Sequence, residues 1–132
     1  MITIQGLTKS FGSKTITRGL DLSIEKHEFL AIIGRSGEGK SVLLKQMIGL
    51  IKPDHGTVKI NGEDIGKLRG KKRQQVFRTC GYVFQFAALL DSLNVLENIG
   101  LPLTEDGKNL EDIEPLITDK LQSVGLAPDV LK

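Results

Sequence analysis

Gly34-Arg35-Ser36-Gly37-Glu38-Gly39-Lys40-Ser41 follows the apolar run Glu28-Phe29-Leu30-Ala31-Ile32-Ile33 and precedes Val42-Leu43-Leu44-Lys45-Gln46-Met47. The octapeptide fits G-x-x-x-x-G-K-[ST] at every fixed position. Each fixed residue has a physical task. A loop that wraps a phosphate must turn its backbone N–H groups inward, and Gly34, Gly37 and Gly39 supply the φ angles and the close approach this needs. The following helix offers unpaired N–H groups and the positive end of its dipole to an anion. Lys40 brings a full charge to the β- and γ-phosphates, and Ser41 a hydroxyl for Mg²⁺. At Arg35, Ser36, Glu38 and Val42 the backbone N–H matters more than the side chain.

Four constrained positions match by chance roughly once in a hundred chains of this length. The flanking run and amphipathic segment raise the signal, because the mechanism requires a strand before the loop and a helix after it. The competing dinucleotide fingerprint, G-x-G-x-x-G, fails here because Val42 stands where its third glycine belongs.

Outward from the loop, the sequence reads as an α/β protein. Met1 to Leu7 and Thr15 to Ile24 are expected strands, joined by a turn over residues 9–13. Residues 28–33 are expected to be a strand buried on both faces. Lys40 to Leu50 has helical spacing and is expected to stop near Ile51, before Pro53. Thr57 to Ile60 reads as a strand, and Asn61-Gly62 as a hairpin turn. Lys67 to Arg78 is a basic helix, and Gly81 to Phe84 a second buried strand. Leu93 to Leu101 is a short helix ended by Pro102, and Leu110 to Val124 an amphipathic helix ended by Gly125.

Composition adds bounds. The chain has 132 residues, 39% hydrophobic and 26% charged, with a net charge of +2, so it is one domain or part of one, and nothing in its charge calls for a nucleic-acid partner. The apolar runs stop at Arg35 and Lys45, well short of a bilayer's width. The single Cys80 forms no internal disulfide, and His27 and His55 have no partner at metal-ligand spacing. The basic cluster Lys67, Arg69, Lys71, Lys72, Arg73 and Arg78 is read as a solvated helix face.

With these motifs in place, the stretch from about Ile4 to Leu103 resembles the nucleotide-binding subunit of an ABC transporter. Leu7-Thr8-Lys9-Ser10-Phe11-Gly12 places Phe11 where the family stacks an aromatic on adenine. Gly81-Tyr82-Val83-Phe84-Gln85 looks like the Q-loop, which implies that Gln85 contacts Mg²⁺ and the attacking water and relays to the membrane subunit. The closest resemblance is to the ATPases of Mce-type lipid-transport systems. It is carried by Gly34 to Lys45 and by Phe84 to Leu103; Val42 replaces the second hydroxyl residue common in ABC ATPases.

The resemblance implies a P-loop NTPase of the ABC ATPase type. Its expected form is an N-terminal antiparallel β layer, a partial parallel core sheet with helices, and the start of a helical subdomain, all within residues 1–132. It implies ATP and Mg²⁺ as ligands, Lys40 and Gln85 as catalytic residues, and Ser41 and Gln85 as metal contacts. Implied partners are a transmembrane permease and a second ATPase copy, without nucleic acid, at the inner face of the membrane. The signature Leu-Ser-Gly-Gly-Gln, the Walker B carboxylates and the switch histidine do not occur in the sequence. The chain thus reads as the N-terminal half of the subunit, expected to bind nucleotide weakly, to turn over essentially none, and to self-associate through an open sheet edge. The alternatives are a non-transport ABC ATPase of the translation or DNA-repair type, and a non-catalytic interaction module.

Overall fold

The computed structural model describes residues 1–84 and 88–131. The chain divides into two compact units, Met1–Val83 and Phe84–Lys132.

In the first unit β1 (Ile2–Phe11) and β2 (Lys14–Ile24) form an antiparallel hairpin. β3 (His55–Ile60) pairs with the other edge of β1, and the short β4 (Glu63–Asp64) follows, so the sheet order is β2-β1-β3-β4. Every described strand pair is antiparallel. The inward residues of β1 are Ile4 and Leu7, three apart, which breaks the two-residue period of a strand. The chain resolves the conflict with an irregularity between them, where Gly6 takes a φ of +57°. The extra residue of a bulge changes the phase, so both side chains reach the same core. At the other hairpin, Asn61 and Gly62 have φ of +50° and +84°, which gives the twist that a two-residue β connection needs.

Helix α1 (Lys40–Met47) covers one face of the sheet with Leu43 and Met47, which pack with Ile4, Leu7, Val58, Ile60, Ile65 and Leu68. Each such side chain contributes about 1.5–3 kcal/mol of burial. α1 ends earlier than its apolar spacing predicts. Gly49, at φ +67°, lets its N–H donate to the Gln46 carbonyl and the Leu50 N–H to the Lys45 carbonyl, a glycine C-cap that acts four residues before Pro53. The basic helix α2 (Gly70–Phe77) completes the unit.

The two runs expected to be strands of a parallel core do not form strands. Residues 28–33 and 81–84 carry no regular structure, and Phe29, Ile33 and Val83 are 93%, 91% and 94% exposed. A parallel strand exists only against hydrogen-bonding neighbours on its edges, and among the described residues no strand pairs with either run.

The second unit packs α3 (Val95–Thr104) against α4 (Leu110–Ser123), followed by a 3₁₀ turn at Pro128–Leu131. Ile113, Ile117 and Leu121 form its core with Leu96, Leu103 and Leu110. Gly100 lets the two helices approach: a Cβ there would stand 3.0 Å from both Ile113 and Leu110. α3 starts with a reciprocal cap, in which the Asn94 side chain accepts from Glu97 N–H and the Glu97 carboxylate accepts from Asn94 N–H. Pro102 does not end α3. Its ring sits in the last turn, and the Glu105 N–H still reaches the Leu101 carbonyl at 2.9 Å. α4 ends as its sequence predicts, with Gly125 at φ +78° and the Leu126 N–H on the Leu121 carbonyl.

Candidate functional site

The segment from Gly34 to Lys40 makes the strand-free approach to α1 and folds over itself. Gly34, Gly37 and Gly39 have φ of +156°, +79° and +99°, conformations that a residue with a Cβ rarely adopts. Gly39 is the N-cap of α1, and no side chain caps the helix. A Cβ at Gly39 would overlap the Ile16 side chain of β2, so glycine is needed both for its angle and for the approach of the hairpin.

The donors of the loop face its own acceptors. Lys40 Nζ donates to the carbonyls of Gly34 and Arg35 at 2.7 and 2.6 Å. The Arg35 N–H donates to Glu38 Oε2 at 2.8 Å. A loop amide that takes a carboxylate oxygen is an anion-accepting amide, which is the property a phosphate cradle requires. The first-turn N–H groups of α1 have no acceptor within the helix, and no acidic residue stands in that turn to neutralise its dipole. Ser41 is exposed there and Val42 half-buried. An open cleft of about 440 Å³ joins this loop to the hairpin; Ile16, Thr17, Ile33, Glu38, Gly39 and Lys40 are among its lining residues. Gly39 and the Lys40 ammonium give this cleft donors that fit a polyphosphate, beside an apolar wall at Ile16, and the Glu38 carboxylate that lines it holds the Arg35 N–H an anion would take.

Phe11 stands at the tip of the β1–β2 hairpin, half exposed. The Lys9 ammonium lies 5.2 Å from its ring centroid and 2.7 Å from Asp54 Oδ1. The Lys9 hydrogen bond, then that from Ser10 N–H, hold the Asp54 carboxyl below its ordinary 3.8. Gln85 lies outside the described residues.

Lys67, Arg69, Lys72 and Arg73 of the basic cluster make contacts within the chain. Lys67 pairs with Asp64 at 3.5 Å and Lys72 with Glu63 at 3.0 Å. Arg69 donates to the Gly66 and Leu68 carbonyls, and Arg73 to the Gly49 carbonyl while lying over the Phe77 ring. Lys72 thus ties α2 to β4 and Arg73 ties it to the end of α1, while the Lys67 and Lys72 side chains stay largely exposed. Among the described residues no helix is long and apolar enough to cross a membrane, and no group of three metal-ligating side chains occurs.

Sequence reasoning treated the Glu38 side chain as incidental and did not single out Ile16, Lys9 or Asp54. Glu38 could have been suspected, since an acid within an anion-binding loop is an electrostatic conflict. The Lys9–Asp54 pair, separated by 45 residues, leaves no local signal.

The family described as ABC transporter matches residues 17–129. The chain is 41% identical over 132 residues to the probable ribonucleotide transport ATP-binding protein mkl of Mycobacterium leprae, covering 99% of this chain and 38% of that one. It is 39% identical over 128 residues to the lipoprotein-releasing system ATP-binding protein LolD of Bacteroides thetaiotaomicron, covering 96% and 58%. With the chloroplastic protein TRIGALACTOSYLDIACYLGLYCEROL 3 of Arabidopsis thaliana it shares 43% over 127 residues, covering 96% and 36%. Among solved structures, the dimeric bacterial ABC transporter cassette MJ0796 superposes with a TM-score of 0.73 at 32% identity, covering 83% of this chain and 49% of that one. The same cassette in a post-hydrolysis state bound to ADP and Pi gives 0.69 at 33%, covering 79% and 47%. The chain thus spans between 36% and 58% of the length of these relatives and cassettes.

Proposed function

Because this chain belongs to the ABC transporter ATP-binding family, with the P-loop NTPase fold of its cassettes, we propose that it forms the ATP-binding part of a transporter's ATPase subunit. The observation that carries the proposal is the loop Gly34 to Ser41, with Lys40 folded inward, three left-handed glycines and an uncapped helix behind it. In this reading residues 1–132 are the N-terminal part of the nucleotide-binding domain. The backbone N–H groups from Arg35 to Val42 and the Lys40 ammonium hold the β- and γ-phosphates, and Phe11 stacks on the adenine. Ser41 and Gln85 contact Mg²⁺, which supplies charge neutralisation on the phosphates when bound. Lys40 must exchange the Gly34 and Arg35 carbonyls for phosphate oxygens, and the Glu38 carboxylate must leave the Arg35 N–H. Both exchanges lower the apparent affinity of the loop.

Catalysis needs a group to orient or deprotonate water, and the described site holds no carboxylate placed for that task. We therefore propose binding with negligible turnover for these 132 residues, and hydrolysis by a full cassette that pairs with a second copy and a permease at the membrane. The relatives named for a lipoprotein-releasing system and for trigalactosyldiacylglycerol support a lipid-bearing cargo.

The test is a titration with a fluorescent ATP analogue and Mg²⁺, beside Lys40→Ala. Binding should weaken ten-fold or more in the variant; equal affinity in both proteins removes the P-loop reading. Steady phosphate release that depends on Lys40 would overturn the proposal of negligible turnover. For the cargo, the permease complex captured from membranes through this chain should carry phospholipid by mass spectrometry. Ribonucleotides in its place would overturn the lipid reading and favour the function printed for the mkl relative.

A further inference from the structure

Phe11 is the last residue of β1, and the two-residue turn Gly12-Ser13 follows. A ring at a hairpin tip has few neighbours to fix its rotamer, yet a stacking platform must hold one orientation. Two residues back along the strand stands Lys9, with its ammonium 5.2 Å from the ring centroid, within cation–π range. Lys9 is itself held. Its side chain is only 15% exposed, and its ammonium donates to Asp54 Oδ1 at 2.7 Å. Asp54 is fixed on both sides: Oδ2 accepts from Ser10 N–H at 2.8 Å, and its own N–H donates to the Thr8 carbonyl at 2.9 Å. The turn before β3 thus clamps the end of β1, and the clamp reaches the ring through Lys9.

We propose that Lys9 and Asp54 are positioning residues for the purine base: they cover one face of Phe11 with a fixed ammonium and leave the other face open for stacking. The inference rests on the reading of Phe11 as the base platform. The ring's 50% exposure fits one covered face and one open one. A cation on one face also draws π-density toward itself, which lowers repulsion between the opposite face and the π-system of a base. Because Asp54 already pairs with the Lys9 charge, Lys9 contributes to recognition of the base and not to attraction of the phosphates. That division separates this role from a general electrostatic one.

The experiment is calorimetric titration of the chain with MgATP and with magnesium tripolyphosphate, which has no base. Phe11→Ala should lose about ten-fold or more in MgATP affinity. Lys9→Met should lose about two- to five-fold, Asp54→Asn should shift in the same direction, and Lys9→Arg should retain wild-type affinity. None should change tripolyphosphate affinity, and Lys9→Met should add nothing in the Phe11→Ala background. If Phe11→Ala loses MgATP affinity while Lys9→Met and Asp54→Asn keep it, the clamp is overturned and the platform stands. If Phe11→Ala binds MgATP like the wild type, or if the wild type does not distinguish the two ligands, platform and clamp fall together. Equal losses for both ligands in Lys9→Met assign it a general structural role and overturn the inference. Should Lys9→Met not fold by circular dichroism, Asp54→Asn decides between the same outcomes.

Discussion

Residues 2–11 and 28–33 are both rich in β-forming apolar residues, and they end in opposite states. The first is β1, with hydrogen-bonded neighbours on both edges, and Ile4 and Leu7 are 1% and 0% exposed. The second carries no strand, and its Phe29 and Ile33 side chains stand in solvent. Intrinsic preference is similar in the two. The difference is the supply of partners: β1 finds β2 two residues away and β3 through a connection closed by the Asp54 clamp. Strand propensity describes a fit to a pleated, half-buried surface, and it has no force where that surface is lacking.

The comparison can be broken most directly by truncation. Ile4→Ala should cost about 2–5 kcal/mol, measured by urea denaturation, whereas Ile33→Ala should stay within about 0.5 kcal/mol. Similar losses at both sites would mean that residues 28–33 are buried in solution. Gly56→Ala tests the edge that gives β1 its second partner. Gly56 has φ +86°, and an added Cβ would stand 2.6 Å from the Gln5 carbonyl oxygen, so the β1–β3 ladder must open there. A loss of about 1–3 kcal/mol is expected, with faster hydrogen exchange in β3. A silent substitution would show that the β1–β3 approach is looser than described.

A smaller effect belongs to the helical unit, where order comes from local caps and not from distant strands. Asn94→Ala should cost about 1 kcal/mol and raise exchange at the Glu97 and Asn98 amides without changing those of β1. Spread of the effect into the sheet would join the two units energetically. The smallest effect is that of acid on the Asp54 clamp. Its carboxyl binds a proton less readily in the folded chain than in the unfolded one. The clamp's contribution is therefore complete above the ordinary value of 3.8 and is lost as pH falls through the lowered native one. The Phe11 ring resonances should shift over that acid range and stay constant from there to neutrality. A shift centred nearer neutral pH would point to another group.

Legibility followed the range of the interactions. The Asn61-Gly62 turn and the Gly125 stop are settled by neighbours within a few residues, and each is where the sequence puts it; the Asn94–Glu97 cap is equally local but starts α3 two residues later than the expected Leu93. The end of α1 was misjudged because two local stops compete: Gly49 acts before Pro53 is reached, since a left-handed residue satisfies the last carbonyls at once. At Pro102 the error ran the other way. The sequence could not show that only the last turn of α3 loses a hydrogen bond, a cost its apolar face against α4 offsets.

By itself the sequence determined the glycine-rich turn ahead of α1. Gly34, Gly37 and Gly39 take the positive φ angles that their lack of a Cβ permits, because backbone freedom belongs to the residues themselves. It also determined the Asn61-Gly62 turn and the Gly125 stop of α4. Only the tertiary structure decided which apolar runs become strands and that Lys9 and Asp54 meet beneath Phe11. Those outcomes depend on groups far apart in the chain, whose meeting is set by sheet order and bulge phase, and neither is written in any single segment.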